Sequence, residues 1–169
     1  MSQVLSLREA GTRLSEMVRA MHAGERAAMQ RACRLVRREA RDALGQPHQG
    51  DGPFAAWPPL APATEAQRLH EGYAPDAALL RSGALRDSIG FALTAADDGR
   101  QEAVVGSTSE IAVYQELGTS RVPPRSFLGA AGVRLAPAVA IALARGVVGA
   151  LSGRPGSGGQ GIASDGEGG

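Results

Sequence analysis

The chain has 169 residues, of which 43% are hydrophobic but only 4% aromatic, and it carries a formal net charge of +1. This length suits one domain with tails, and the near-neutral balance gives no global argument for nucleic acid or for a membrane surface. The single cysteine, Cys33, excludes an internal disulfide framework, and with so few rings the core must be built from Ala, Val, Leu and Ile, a thin core of the kind that leans on oligomerisation.

Charge is unevenly spread. Residues 1–44 hold nine Arg against five acids, whereas residues 45–169 hold nine Arg against twelve acids. All 18 basic residues are Arg. In the N-terminal segment, Ser6-Leu7-Arg8-Glu9 fits a capping box, and the pattern from there to Leu44 is helical, with Gly45 as its stop. Leu14, Met17, Val18, Met21, Ala28, Ala32, Leu35, Val36 and Ala43 share one face at about 100° per residue. Arg19, Arg26, Arg34, Arg37, Arg38 and Arg41 take the opposite face, and Gly24 is a place for a kink. That basic face reads as solvated surface, as a contact for an acidic neighbour, or as a phosphate contact. Glu25 and Glu39 fall on the apolar face. Glu39 finds no cation at its helical neighbours, so its partner must come from another segment or another subunit, and Arg121 and Arg125 are the candidates.

From Gln46 to Pro62 the chain reads as a proline-rich loop, with Phe54 and Trp57 as the anchors that pin it down. Thr64 to Gly72 suits a short helix, and Leu79 to Leu85 a tight approach to a strand. Ile89, Phe91 and Leu93 alternate with smaller residues at strand spacing, Asp97-Asp98-Gly99 signals a turn, and Glu102 to Gly106 returns as the second strand. Ser107, Thr108 and Ser109 offer caps for a helix in which Ile111, Val113, Tyr114 and Leu117 let one side pack inward, and Gly118 ends it. Pro123 and Pro124 then hold an arm extended, available as a third extended piece, from which Arg125 and Phe127 project. Within one subunit Phe127 would cap the core and Arg125 would point to water; the alternative is that both meet a neighbour. Pro137 suits the first turn of a closing helix that runs to about Leu151. This run is apolar almost all round, yet Pro137, Arg145, Gly146 and Gly149 argue against a membrane span. After Ser152 the chain is Gly-rich and reads as a flexible tail. There is no leader pattern at the N-terminus.

No catalytic, cofactor-binding or metal-binding set can be assembled. Gly156-Ser157-Gly158-Gly159-Gln160-Gly161 imitates a dinucleotide fingerprint but has neither a strand before it nor a helix after it. A chain without Lys cannot build a Walker A loop. His22, His48 and His70 have no ligand spacing with Cys33, and no Ser sits in a nucleophile setting. The expectation is a structural protein rather than an enzyme, needing no cofactor. The fold class is α+β: a long N-terminal amphipathic helix (residues 1–45), then a core over 46–152 with a small antiparallel sheet, a short helix and the closing helix, then a flexible Gly-rich tail over 153–169.

The series Trp57-Pro58-Pro59-Leu60, Thr64, Leu80 to Ile89, Val105-Gly106, Tyr114-Gln115-Glu116-Leu117-Gly118-Thr119 and Pro124-Arg125-Ser126-Phe127-Leu128-Gly129 resembles the phage virion-morphogenesis family, the tail-completion and head–tail-joining proteins of Mu-like and related tailed phages. The resemblance covers about Ala40 to Gly129. Where that family usually has Pro-x-Arg-Pro-Phe-Leu, Ser126 replaces the second proline, which makes the arm less stiff. The resemblance implies a structural virion protein of a phage, prophage or gene-transfer particle, found in the neck or tail and in the host cytoplasm during assembly. Its subunits would form a ring, expected to be hexameric, that completes the head-proximal end of the tail. The partners implied are further copies of the chain, a tail terminator or tail tube, and head-completion, stopper or portal-adaptor proteins, with DNA only passing through and no membrane. Arg121, Arg125, Phe127, Tyr114 and Glu39 are the residues expected at subunit or partner interfaces. The rival readings are a tail-terminator ring and a cytoplasmic nucleic-acid-binding protein using the Arg face.

Overall fold

A computed structural model of the chain describes residues 6–95 and 100–152, so the Asp97-Asp98-Gly99 turn, the tail after Ser152 and its glycine fingerprint lie outside the described residues. The elements are α1 (Leu7–Ala43), α2 (Pro62–His70), α3 (Ala84–Asp87), β1 (Ile89–Ala95), β2 (Gln101–Ser107), α4 (Glu110–Leu117) and α5 (Leu128–Leu151). This is the α+β order expected.

The helix α1 is one unbroken helix of 37 residues, about 55 Å long at the usual rise. Its capping box forms as read: the Glu9 N–H donates to Ser6 Oγ and the Ser6 N–H to Glu9 Oε2. The Ser6 N–H and hydroxyl, both donating to Glu9 Oε2, hold the Glu9 carboxyl below its ordinary range. Gly45, at φ +87°, ends the helix and turns the chain back, its N–H donating to the Ala78 carbonyl at 2.7 Å.

Gly24 does not kink α1. It lets α5 approach. A Cβ placed on Gly24 would lie 2.7 Å from the Ala150 Cβ, and one on Gly146 would strike the Ala28 Cβ. Gly24 and Ala28 on one helix and Gly146 and Ala150 on the other thus form an antiparallel close crossing with small residues on both sides. At the far end of this pair, Arg134 of α5 bonds Glu39 of α1 at 2.6 Å and Asp51 of the loop at 2.5 Å. Both acids push the Arg134 guanidinium further toward its charged form.

β1 and β2 pair antiparallel, with Phe91 opposite Val105 and Leu93 opposite Ala103, and lie against α1. The arm does not join them; the described sheet has two strands. The core joins Ala40 of α1 and Leu44, the residue that caps it, to Ile89, Ala112, Phe127 and Ala131, with Trp57, Leu79, Leu80 and Leu85 packed around it. Phe127 is the largest fully buried side chain. The rest is mainly alanine and aliphatic, as the scarcity of aromatic residues demands.

Two expectations are corrected. The closing helix begins at Leu128, so Pro137 lies inside it and costs one intrahelical bond rather than starting the first turn. Its start depends on a carboxylate twelve residues upstream, described below. The inward-packing side of α4 is not its apolar side either: of that helix only Ala112 is buried, while Ile111, Val113, Tyr114 and Leu117 are all exposed.

The two kinds of helical glycine give opposite expectations. A Cβ on Gly132 meets nothing within 4 Å, so Gly132→Ala should raise the urea-unfolding free energy by up to about 1 kcal/mol. Gly146→Leu should lower it by about 1–3 kcal/mol through overpacking against α1. Equal effects of the two changes would show that the α1–α5 crossing is not close.

Candidate assembly interface

The helix α4 is inside out, and the reason lies in one side chain. At 100° per residue Ala112 and Glu116 share a face, and that face is the inner one. Glu116 Oε2 accepts the backbone N–H groups of Phe127 at 2.9 Å and Leu128 at 3.0 Å, and Oε1 accepts that of Gly129 at 2.7 Å and the hydroxyl of Ser126. These are the amides that begin α5, which have no partner within their own helix. No side chain of the N-cap residue itself, Phe127, satisfies them. A carboxylate there also meets the positive end of the helix dipole. With Glu116 turned inward, the helical period carries Ile111, Tyr114, Leu117 and Val113 around the opposite arc. The surface so formed is mainly apolar, with the exposed Glu110 at its N-terminal edge: Leu117 is 74% exposed, and Ile111, Val113 and Tyr114 each just over half.

The arm is fastened rather than free. The Arg125 N–H donates to the Gln115 carbonyl at 2.6 Å, and Trp57 Nε1 donates to the Ser126 carbonyl at 3.1 Å. Trp57 stacks on His48 at 5.0 Å, whose Nδ1 accepts the Gly50 N–H. Trp57 is therefore the anchor it was read to be. Phe54 reaches over Gly129, where a Cβ would lie 2.6 Å from its ring. Arg125 is only 6% exposed and gives Nη2 to the carbonyls of Pro58 and Pro59 at 3.0 and 3.2 Å. It meets no carboxylate, its Nε has no hydrogen-bond partner, and burial with the nearby Arg68 pushes its pKa down. The proline-rich loop is thus held by the backbone and side chains of the arm.

The five residues expected at an interface separate into two groups. Arg125 and Phe127 sit inside the subunit, one clamping the loop and one filling the core. Glu39 has its cation within the chain: Arg134 of α5, not Arg121 or Arg125. The expected Glu39–Arg125 pair is thereby corrected, because the arm folds back onto the loop instead of reaching outward. Arg134 was missed because it stands 95 residues away, on a helix whose start the sequence did not reveal. Tyr114 and Arg121 remain on the surface.

A second apolar surface lies at the other end of the molecule. α5 ends opposite Gly24, so residues 6–20 of α1 extend past it and are exposed throughout. Leu14, Met17 and Val18 project from this solitary stretch, Leu14 with 63% of its surface exposed. Ala40 packs with Ala112, so the α4 arc lies near the C-terminal end of α1; from Ala40 back to Leu14 is about 39 Å along the helix. The outer side of α5 is a third exposed apolar surface, with Ile141 and Val148 each more than half exposed, but the α4 arc and the α1 extension are the two that stand far apart at opposite ends of the subunit. Among the described residues no three or more His, Cys, Asp or Glu are grouped to hold a metal. By length and composition alone α5 could cross a membrane; it packs along α1 through its small residues, and most of its apolar side chains stay outside the core.

Residues 8–118 match the model of a protein family described as "Bacteriophage HK97-gp10, putative tail-component". The match runs from the first turn of α1 to the glycine that ends α4, well over half of the chain. It takes in the basic helix, which the motif resemblance had left out, and stops before the arm, which that resemblance had included. Comparison with curated proteins gives no match, and neither does comparison with solved structures.

Glu116→Ala leaves several amides at the α5 start without an acceptor and should lower stability by about 2–4 kcal/mol, seen as a fall in Tm; an unchanged Tm would mean water replaces the carboxylate fully. Arg125→Glu sets a carboxylate against two carbonyl oxygens and should destabilise the subunit itself by about 3 kcal/mol or more. A variant that melts normally would return Arg125 to the surface.

Proposed function

The chain belongs to that family of phage tail components, and from this premise we propose that it is a structural subunit that assembles with copies of itself into a ring at the head-proximal end of the tail. The observation that carries the reading is that two unlike apolar surfaces stand at opposite ends of the subunit: the α4 arc at one, and the first turns of α1 at the other. A subunit whose two sticky surfaces differ assembles head to tail, and head-to-tail contacts close into a ring when the rotation between neighbours divides a full turn. The α1 extension supplies an amphipathic helix, and the α4 arc supplies an apolar landing site centred on Tyr114 and Leu117. The nearby Arg121 supplies charge at the rim, where polar residues surround the apolar centre of an interface.

A solitary helix of this length is marginal in water, so the extension gains most of its order from what it docks on. Six copies is the expected number. The neighbours of the ring would be a tail terminator or the tail tube on one side and head-completion, stopper or portal-adaptor proteins on the other. The work is done by complementary surfaces repeated by rotation. This role needs no chemistry at a reacting centre and places the protein in the virion, after assembly in the host cytoplasm. The rival reading as a tail-terminator ring uses the same surfaces with a different neighbour.

Head-to-tail assembly has a signature that a symmetric dimer lacks. Leu117→Glu alone and Val18→Glu alone should each abolish rings in sedimentation velocity while leaving Tm unchanged, because both side chains are exposed in the subunit. Mixed together, the two variants retain one intact pair of surfaces and should form heterodimers but no ring. Rings that survive either change, or a mixture that stays monomeric, would refute the head-to-tail reading.

A further inference from the structure

One surface has no part in ring assembly as described. Arg31, Arg34, Arg37, Arg38 and Arg41 of α1, with Arg86 of α3, line an open groove of about 680 Å³. Asp42 and Asp87 are the acids that share it, so six guanidinium groups face two carboxylates. Arg41 bonds Asp87 at 2.8 Å, and Arg86 lies 4.0 Å from the same carboxylate. Arg37 lies over the Phe91 ring at 5.4 Å, so the strand supports it from below. Arg31, Arg34 and Arg38 are exposed along the helix. The groove thus keeps a net of four positive charges with part of its wall fixed.

We propose that this groove binds the phosphate backbone of duplex DNA, without regard to sequence. Guanidinium groups spaced three and four residues apart from Arg31 to Arg41 span about 15 Å along α1. One strand of a duplex places about four phosphates in that rise. The groove has a single apolar lining residue, Leu35, whereas the centre of a protein–protein contact is apolar and poor in charge. The apolar surfaces of this subunit lie elsewhere, on α4, on the α1 extension and on the outer side of α5. The acids that a second copy could offer among the described residues are dispersed: Glu102 lies on β2, Glu110 on α4, Glu65 on α2 with Glu71, already paired to Arg81, and Asp76 after it, and Glu9 and Glu16 stand among Arg8, Arg13 and Arg19. The one aromatic ring at the groove is covered by Arg37, so bases have no free platform to stack on, and the backbone of a duplex fits better than a single strand. Phosphate contacts of this kind position a duplex and carry no sequence information.

The test uses the full chain carrying Leu117→Glu, so that DNA binding is read apart from ring assembly. Fluorescence anisotropy with two unrelated duplexes of about 30 base pairs should give equal affinities, and log K should fall against log salt with a slope of about −3 to −4. Arg34→Glu with Arg38→Glu should weaken binding at least tenfold and flatten the slope by about 2, with an unchanged Tm. Arg13→Glu with Arg19→Glu, an equal charge reversal on the α1 extension, should cost much less. The proposal is overturned if no binding is seen at about 50 mM salt, or if the two double variants lose affinity equally. It is overturned too if, with Leu117 intact, the groove variant blocks self-association while DNA affinity stays unchanged, which would assign the groove to a protein partner.

Discussion

The carboxylate of Glu116 is the point on which the C-terminal half of this molecule turns. It gathers three amides and a hydroxyl from residues 126–129, and so decides where α5 begins. Phe127, held in the same place, becomes the centre of the core. Because α5 starts there and not at Pro137, it is long enough to run back along α1, bring Arg134 to Glu39 and reach Gly24 with Ala150. The same commitment turns α4 over. An acid needed inside forces the apolar arc outside, and the energetic cost of that exposure is recovered only when something covers it. The fold and the exposed apolar arc therefore share one cause.

Much of the architecture was legible in the residues because its signals are local. The Ser6 and Glu9 box, the glycine at 45 and the alternation through Ile89, Phe91 and Leu93 each state their conformation within a few positions. What was not legible depends on distant partners. Glu116 as the cap of another helix leaves no mark near Leu128, where sequence offers no Ser, Thr or Asp at the cap. Arg134 as the partner of Glu39 needs the α1–α5 crossing to be known first. The outward face of α4 reads, by periodicity alone, as an inward one, since hydrophobic spacing defines a stripe but not the direction in which it points.

The candidate site was readable in its segment and less so in its residues. The stretch from Val104 to Gly129 does hold the exposed arc, the buried cap and the fastened arm. Yet Arg125 and Phe127 were ambiguous between core and neighbour, and the tie of Arg125 to the carbonyls of Pro58 and Pro59 settles their place in the subunit. An arginine bound to backbone carbonyls leaves no compositional trace, since any residue can supply a carbonyl.

The length of α1 makes it a lever. Its fulcrum is the glycine and alanine crossing at Gly24 and Ala28, and beyond this residues 6–20 of the helix are exposed throughout and have no cover among the described residues. A tilt of about 10° about that fulcrum moves the first turn by roughly 4 Å, since Leu7 lies about 26 Å away along the axis. In the ring proposed above, curvature would be set by such angles, and two residues without bulky side chains would act as the gauge for its diameter. Close backbone contact, with few rotamers to choose among, is a stiffer gauge than interlocked long side chains would be.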